Sequence, residues 1–269
     1  MDHTHKLITE ARSELLAKIV RTLSLKREEI AEMVELYGDV QQLRIQHANK
    51  ERTEPPSELA EWLDFWNHAG ETVINNALKR WVEGPDSPPE AKWAYEQIGI
   101  GPVIASGLSA HIDVAKSDTI SSLWKFAGQA PGFDRKTKGQ KLCYNARLKT
   151  LCWKIGESWV KVSGKEGATY GKLYVDFKTE EIRRNESGHY AEAAKKELAA
   201  KSFKTDNATK KRLLEGKLSD GHLHARAKRR TVKIFLSHYW LIARKARGLS
   251  VNRPYAETIL HHDGIIEPI

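Results

Sequence analysis

The amino-acid sequence predicts an all-α fold. Three observations support this prediction: apolar residues recur every three or four positions over long stretches, helix-capping and helix-breaking residues separate these stretches, and alternating β-branched residues are sparse. No βαβ succession of strand and helix patterns is found. With 269 residues, the chain is long enough for one or two domains with hydrophobic cores.

The first predicted helix is amphipathic and runs from Leu7 to Leu23. Ser24 is a candidate N-cap for a second helix, which carries Ile30, Val34 and Tyr37. This second helix is too polar to be buried on all sides. We therefore expect it to form one arm of a helical hairpin or a dimer contact.

A third, longer helix follows the break at residues 53–56, which contains two prolines. Ser57 is placed to open it, and Gly84-Pro85 to end it. Its apolar residues repeat like those of a coiled-coil seam. They are Leu59, Trp62, Leu63, Trp66, Ala69, Val73, Ala77, Leu78 and Trp81.

Helical periodicity continues to the end of the chain. Residues 87–90 read as a capping box, in which Ser87 caps a short helix that has proline just inside its start. Asp118 is a candidate cap for a helix over 119–127, with Gly128 as its stop signal. Further helices are predicted over 145–160, 170–177, 188–201 and 221–247, followed by a tail over 254–269.

The formal net charge of +9 is divided unevenly along the chain. Up to Ile98 there are 12 basic and 18 acidic residues, net −6, and from Gly99 onward 32 basic and 17 acidic residues, net +15. An acidic front and a basic back are typical of a protein that faces a polyanion with one part only, although a solvated basic surface has the same composition. We predict three parts: 1–86 for packing or dimerisation, 87–162 with a helix–hairpin–helix pattern, and a basic helical part, 163–269.

Composition also excludes several protein classes. No apolar run approaches the length of a membrane span, and the N-terminus carries no apolar signal segment. The two cysteines lack CxxC spacing, which argues against a disulfide scaffold or a cysteine-rich zinc site. We therefore expect a reducing, cytoplasmic location, no membrane partner and no cofactor.

The most informative segment is a predicted helix–hairpin–helix over 91–112. Glycine in a tight turn permits positive φ and close approach to a ligand, and the free N–H groups at the start of the following helix point at an anion. Proline fits the first helical position, and Ile100 would anchor the turn in the core. Such a hairpin grips phosphate without reading bases, although an ordinary helix–helix turn is the alternative. The predicted contacts are Gly99, Ile100, Gly101, Pro102 and Val103.

Basic residues extend this predicted DNA contact. The long helix over 221–247 has an apolar stripe and a basic stripe, and the basic stripe could follow phosphates or be a solvated face. The DNA-binding candidates on this helix are Arg226, Arg229, Arg230 and Lys233, and its basic stripe continues to Arg244 and Arg247. Nearer the hairpin, the candidates are Lys136, Lys138, Lys141, Arg147 and Lys149.

Residues 90–160 resemble a known family. The segments Ile98-Gly-Ile-Gly-Pro-Val-Ile-Ala, Leu123-Trp-Lys-Phe-Ala-Gly-Gln-Ala-Pro131 and 138–149 are similar to the C-terminal helix–hairpin–helix region of DEDD-type insertion-sequence transposases, the group typified by insertion sequence 110 and Piv-type invertases. The rest of the chain looks like shorter transposase-like proteins of mobile elements and phages. The resemblance implies DNA binding in recombination or transposition.

The sequence departs from that family at the residues on which the family's catalysis depends. The family has a RuvC-like domain with four metal-binding carboxylates, whereas residues 1–90 show no strand pattern of this kind. The family also has a serine nucleophile after its Gly-x-x-Pro motif. Here Thr137 is the only hydroxyl residue in the corresponding segment, and no general base can be assigned to it. We therefore lean against catalysis, with Thr137 as the one catalytic candidate.

For the other polar and aromatic candidates, we prefer a structural role to a catalytic or ligand-binding role. His224, His238, His261, His262 and Asp263 could bind zinc or manganese, but their spacing matches no known ligand motif, and hydrogen-bonded or phosphate-facing histidines are the simpler interpretation. Asp176, Glu180 and Glu181 lie on one helical turn and are expected to be solvated. Trp240, Tyr144 and Phe133 could stack on bases, but we expect core roles.

The sequence thus predicts an all-α protein of a mobile element or phage that binds duplex or branched DNA. RNA remains open as the ligand. Two alternatives from other classes stay open as well. One is a metal-dependent nuclease or strand-transfer enzyme that uses the histidine cluster or Thr137. The other is a helical interaction module, in which the N-terminal helices form a homodimer.

Overall fold

A computed structural model describes residues 25–53, 57–133, 138–203 and 205–251. These residues contain ten α-helices and no β-strand, so the predicted all-α fold is confirmed. The predicted helix over 7–23 and the tail over 254–269 lie outside the described residues. The helices are α1 (Ile30–Glu51), α2 (Glu58–Glu83), α3 (Pro89–Glu96), α4 (Pro102–His111), α5 (Ile120–Phe126), α6 (Ala146–Val162), α7 (Thr169–Glu186), α8 (Ala191–Ala200), α9 (Ala208–Leu214) and α10 (Asp220–Ala246).

The chain forms two compact units. Unit 1 contains helices α1 to α4 and ends at Asp113, and unit 2 contains Gln97 to Gly99 together with the chain from Val114 onward. The boundary therefore passes through the predicted hairpin, between Gly99 and Ile100. None of the three predicted parts has these limits.

In unit 1, α1 and α2 form an antiparallel pair. Arg44 forms an ion pair of 2.5 Å with Glu71, and the His47 ring lies 2.8 Å from the Asn67 amide nitrogen, so partners on α2 come earlier as the chain advances along α1. Ser57 caps α2 by accepting a hydrogen bond from the Ala60 N–H, and Gly84 ends the helix, as predicted. The apolar stripe of α2 is buried only in its second half, from Ala69 to Val82.

Unit 2 is built around the long helix α10, which packs against α5, α6 and α7. Its centre is a set of three aromatic rings: Trp159 stacks on Tyr170 at a centroid distance of 4.9 Å, and Phe235 contacts both rings edge-on. A smaller cluster, Tyr190, Ala194, Leu213, Leu218 and Leu223, joins α8 and α9 to the start of α10. The predicted apolar stripe of α10 faces this core, in which Val232, Phe235, Leu236, Tyr239 and Ala243 are buried.

Several local predictions differ from the structure. Thr119 rather than Asp118 caps α5, because its hydroxyl accepts the Ser122 N–H. The Ser87 hydroxyl is buried and bonds to no described residue, so the predicted capping box does not form. Helix α9 was not predicted, since only seven residues separate Asn207 from Glu215 and their periodicity is too short to detect. No helix in the described part of the chain is long and apolar enough to cross a membrane.

Candidate nucleic-acid interface

The predicted hairpin consists of α3, a five-residue turn and α4. Gly99 has φ +101°, in the region that favours glycine, and Gly101 is extended at φ −89° and ψ 172°. Pro102 occupies the start of α4, where its missing N–H loses no helical hydrogen bond. Ile100 is buried, and Val103 is half-buried. The positive φ expected of the turn glycines is therefore present at Gly99 only, whereas the burial of Ile100 and the position of Pro102 agree with the prediction.

The two glycines of the turn have different surroundings. A Cβ atom on Gly99 would lie 3.1 Å from Val162 Cγ2 and 3.2 Å from Ser158 Oγ, so this glycine is required for packing in unit 2. A Cβ atom on Gly101 would meet nothing within 4 Å, and no side chain caps the start of α4. Of the two glycines, Gly101 is thus the one that a ligand can approach.

Two of the four predicted DNA-binding cations of α10 take part in ion pairs with α7. Arg226 Nε lies 2.6 Å from Glu181 Oε2, and Arg230 Nη1 lies 2.5 Å from Glu180 Oε2. Glu181 is 3% exposed, so the expectation that these carboxylates are solvated is wrong for Glu181. Both guanidinium groups also face aromatic rings of unit 2. Sequence alone does not show such pairs, because the partners lie about 45 residues apart in the chain.

The other two predicted cations of α10, Arg229 and Lys233, pair with no carboxylate among the residues that the structure describes. They lie four residues apart and therefore share one helix face. Lys233 Nζ lies 3.9 Å from the ring centroid of Trp124, whose indole N–H donates to the Lys233 carbonyl oxygen. Burial lowers the pKa of Lys233, and the positive charge of Arg229 lowers it further. The two positive charges repel each other and have no carboxylate between them in the described residues, so a bound anion would stabilise both.

Arg229 also lines a cleft between α6 and α10. The cleft has a volume of about 280 Å³ and is closed at one end by the turn at Gly128 and Gln129. Each helix contributes residues spaced as on one helix face. They are Lys149, Cys152, Trp153 and Gly156 from α6, and Ala225, Lys228, Arg229 and Val232 from α10.

Gly156 and Lys228 show how closely the two helices approach at this cleft. A Cβ atom on Gly156 would lie 3.4 Å from the Lys228 Cβ, so only a small residue fits at this point of α6. Lys228 forms an ion pair with Glu157 at the edge of the cleft. Burial raises the pKa of the Cys152 thiol to about 12, which leaves it without nucleophilic character at neutral pH.

Lys149 joins the cleft to the predicted basic loop. Its side chain passes over Gly128, and its Nζ atom lies 4.3 Å from the ring centroid of Tyr144. Lys138, Lys141 and Arg147 are exposed before and at the start of α6. Lys136 and Thr137 lie outside the described residues. The structure thus brings Lys149 and Arg229 to one cleft.

The remaining candidates have structural partners or are not described. Tyr174 Oη lies 2.7 Å from His224 Nδ1 and Tyr170 Oη lies 2.6 Å from His238 Nδ1, so these histidines bond to tyrosines of α7. His261, His262 and Asp263 fall outside the described residues. Within the described ranges, no group of three or more histidine, cysteine, aspartate or glutamate residues could hold a metal ion.

Two residues have roles that sequence reasoning assigned differently or missed. Arg244, predicted as part of the basic stripe, is 3% exposed and donates hydrogen bonds to backbone carbonyl oxygens of Val114, Ser117 and Ser250. Trp153 was not singled out from the sequence but is 62% exposed at the cleft. Its position in α6 gave no clear signal, because Leu151 and Cys152 beside it are both buried.

No protein family model, no curated protein and no solved structure matches this chain.

Proposed function

We propose that the protein binds nucleic acid by its phosphate backbone, through the basic surface of unit 2 formed by Arg229, Lys233, Lys149 and the cleft beside them. The observation that carries this proposal is the pair Arg229 and Lys233, which lies without a carboxylate partner in the described part of the chain. The neighbouring cations on α10, Arg226 and Arg230, each form an ion pair with a carboxylate of α7. Lys233 is half-buried and Arg229 is exposed four residues before it, and the repulsion between their two positive charges is relieved by a bound polyanion.

Two further features support duplex or branched DNA as the ligand. The start of α4 at Gly101 is open and carries no side-chain cap, which suits a phosphate contact from unit 1. The resemblance of residues 90–160 to the helix–hairpin–helix region of DEDD-type transposases points to recombination or transposition of a mobile element or phage. RNA offers the same phosphates, so both nucleic acids belong in the test.

The experiment measures the affinity of the full chain for a 20-base-pair DNA duplex and an RNA duplex of the same sequence at several salt concentrations. The test variant is Arg229→Gln/Lys233→Gln, which removes two charges but keeps a polar side chain at both positions. For two lost phosphate contacts on DNA, we expect the slope of log affinity against log salt to fall by about 1.8. A higher affinity for the RNA duplex would overturn DNA as the ligand.

Arg183→Gln provides the control for loss of a single charge elsewhere, because Arg183 is exposed on α7 and is not part of the proposed surface. This variant removes one charge and is expected to change the slope by well under 0.9. An unchanged slope in the double variant, or equal losses per charge in both variants, would show that only overall charge matters and would overturn the proposed surface.

A second candidate function is self-association through unit 1, and one observation favours it. The first half of α2 exposes large apolar side chains: Trp62 is 57% and Trp66 54% exposed, and Leu59 is more exposed than either. Large exposed apolar groups on one helix face are typical of interaction sites. Sedimentation of the full chain and of Trp62→Gln/Trp66→Gln tests this: a dimer that dissociates in the variant supports it, and a monomeric wild-type chain overturns it.

A further inference from the structure

The cleft between α6 and α10 combines three kinds of surface. Its mouth carries the exposed indole of Trp153, its rim carries Lys149 and Arg229, and its interior is lined by Cys152 and Val232, which are buried. A simple anion would need only the rim. The aromatic and apolar surfaces indicate a ligand that also has a flat, apolar face.

Trp153 is the least expected residue of this set. Its side chain is 62% exposed, and it makes no hydrogen bond and no ring contact with any residue that the structure describes. The other indoles of unit 2 are engaged: Trp124 donates to Lys233 O, and Trp240 donates to Ser117 O. The Trp153 ring therefore has a free face beside the cleft. Stacking on a nucleic-acid base is a common use of such a face.

The size of the cleft limits the ligand. Pockets for drug-sized molecules range from about 300 to 1,000 Å³, so about 280 Å³ is suited to one small ring system. Gly128 of the turn, and Gly156 and Lys228 where the two helices approach closely, all line this space. A base paired within a duplex cannot enter such a space, whereas a base turned out of the stack can.

We propose that this cleft holds a single unpaired nucleotide of a nucleic-acid strand, with its base stacked on Trp153 and its phosphate bound by Arg229 and Lys149. This inference rests on the proposed nucleic-acid binding and deepens it, because it separates unpaired from paired strands. The protein then prefers DNA with a flipped or single-stranded base over a fully paired duplex. The phosphate contacts fix the strand, and the indole selects the unpaired base.

The test measures binding of the full chain to three DNA probes of one sequence: a paired duplex, the same duplex with one unpaired thymidine bulge, and the single strand. Wild-type protein is expected to bind the bulged duplex and the single strand more tightly than the paired duplex. Trp153→Ala is expected to weaken binding of these two probes roughly 5- to 150-fold. Affinity for the paired duplex should change less than twofold.

Two further variants keep the outcome interpretable. Trp153→Phe retains an aromatic face and is expected to recover most of the lost affinity. Ile182→Ala removes an exposed apolar side chain of α7, outside the cleft, and is the control. Thermal unfolding of each variant confirms that the fold is intact. Equal weakening of all three probes by Trp153→Ala, or no weakening of any, overturns the nucleotide site.

The failure of this inference is distinguishable from failure of the proposed function. If Arg229→Gln/Lys233→Gln still lowers the salt slope while Trp153→Ala has no effect, nucleic-acid binding stands and the nucleotide site is overturned. If no probe binds at all, both are overturned. Thymidine monophosphate is the last probe. If it binds to the wild-type protein, binds more weakly to Trp153→Ala, and no DNA strand binds, the ligand is a free nucleotide. That result overturns the proposal that the cleft holds a nucleotide of a nucleic-acid strand.

Discussion

The hydroxyl group of Ser158 on α6 donates a hydrogen bond of 2.5 Å to the carbonyl oxygen of Gly99. This contact fixes the first half of the hairpin turn against α6, where Val162 and Trp159 also surround the glycine. The carbonyl oxygen can meet Ser158 because Gly99 adopts a positive φ of 101°. Gly99 is therefore required by the packing of unit 2, whatever binds to the hairpin.

We expect Gly99→Ala to destabilise the protein by about 1–3 kcal/mol, because an L-residue at this φ is strained and its Cβ would crowd Ser158 and Val162. Urea unfolding of the two single variants measures this. Gly101→Ala is the matched control, since its Cβ enters open space at an ordinary φ, and it should change the free energy of unfolding by less than about 0.5 kcal/mol. Equal effects of the two variants would contradict the assignment.

Gly101 is consequently the position at which the hairpin can be tested without disturbing the fold. Gly101→Glu places a carboxylate at the open start of α4, where it would compete with a phosphate. We expect this variant to bind duplex DNA at least tenfold more weakly than Gly101→Gln, which has the same shape, at low salt. Fluorescence anisotropy measures both affinities. If the two variants bind equally well, phosphate does not approach α4.

Local signals predicted much of the fold. Ser57, Asn145 and Gly84 lie directly beside observed helix ends, and Gly128 follows the end of α5 by two residues, because capping depends on neighbouring backbone groups. Local signals do not distinguish between neighbouring hydroxyl and carboxyl residues as the N-cap of a helix. Thr119 caps α5, whereas Asp118 lies 3.7 Å from Arg244.

The candidate site was predicted less completely, since charge is visible in a sequence and charge pairing is not. Arg226, Arg229 and Arg230 are equivalent by spacing, yet only Arg229 lacks a carboxylate partner in the described part of the chain. Which of them pair depends on how α7 packs against α10, and that packing brings together residues about 50 positions apart. The cleft at Trp153 has the same origin, because α6 and α10 meet only in the folded chain.

The ion pair between Glu181 and Arg226 is expected to make stability depend on pH. Although burial raises the pKa of Glu181, hydrogen bonds from Arg226 and Tyr190 hold it below its ordinary value of 4.5. A carboxylate with a lowered pKa stabilises the fold above its unfolded-state pKa and loses this contribution as pH falls through the folded-state pKa. We expect Glu181→Gln to be less stable than wild type by about 2 kcal/mol at pH 7.

The same comparison at acid pH checks the cause. The difference between wild type and Glu181→Gln should shrink as pH falls below 4.5, because protonation removes the wild-type carboxylate charge. Glu192→Gln, at an exposed position of α8, is the control and should show no such dependence. A difference between wild type and Glu181→Gln that stays constant down to pH 3 would contradict the ion-pair explanation.

Arg244 is expected to stabilise unit 2 rather than bind a ligand. Its buried guanidinium donates to the carbonyl oxygens of Val114, Ser117 and Ser250, so removing it breaks all three of these hydrogen bonds at once. We expect Arg244→Met to lower the free energy of unfolding by about 3 kcal/mol and Arg244→Lys to restore little, because an ammonium group lacks the planar fork of donors. Asp118→Ala, which removes the exposed carboxylate beside Arg244, should cost less than about 0.5 kcal/mol. Urea unfolding measures all three variants. Weakened DNA binding by an Arg244→Met protein of wild-type stability would instead return this residue to the basic stripe that the sequence predicts.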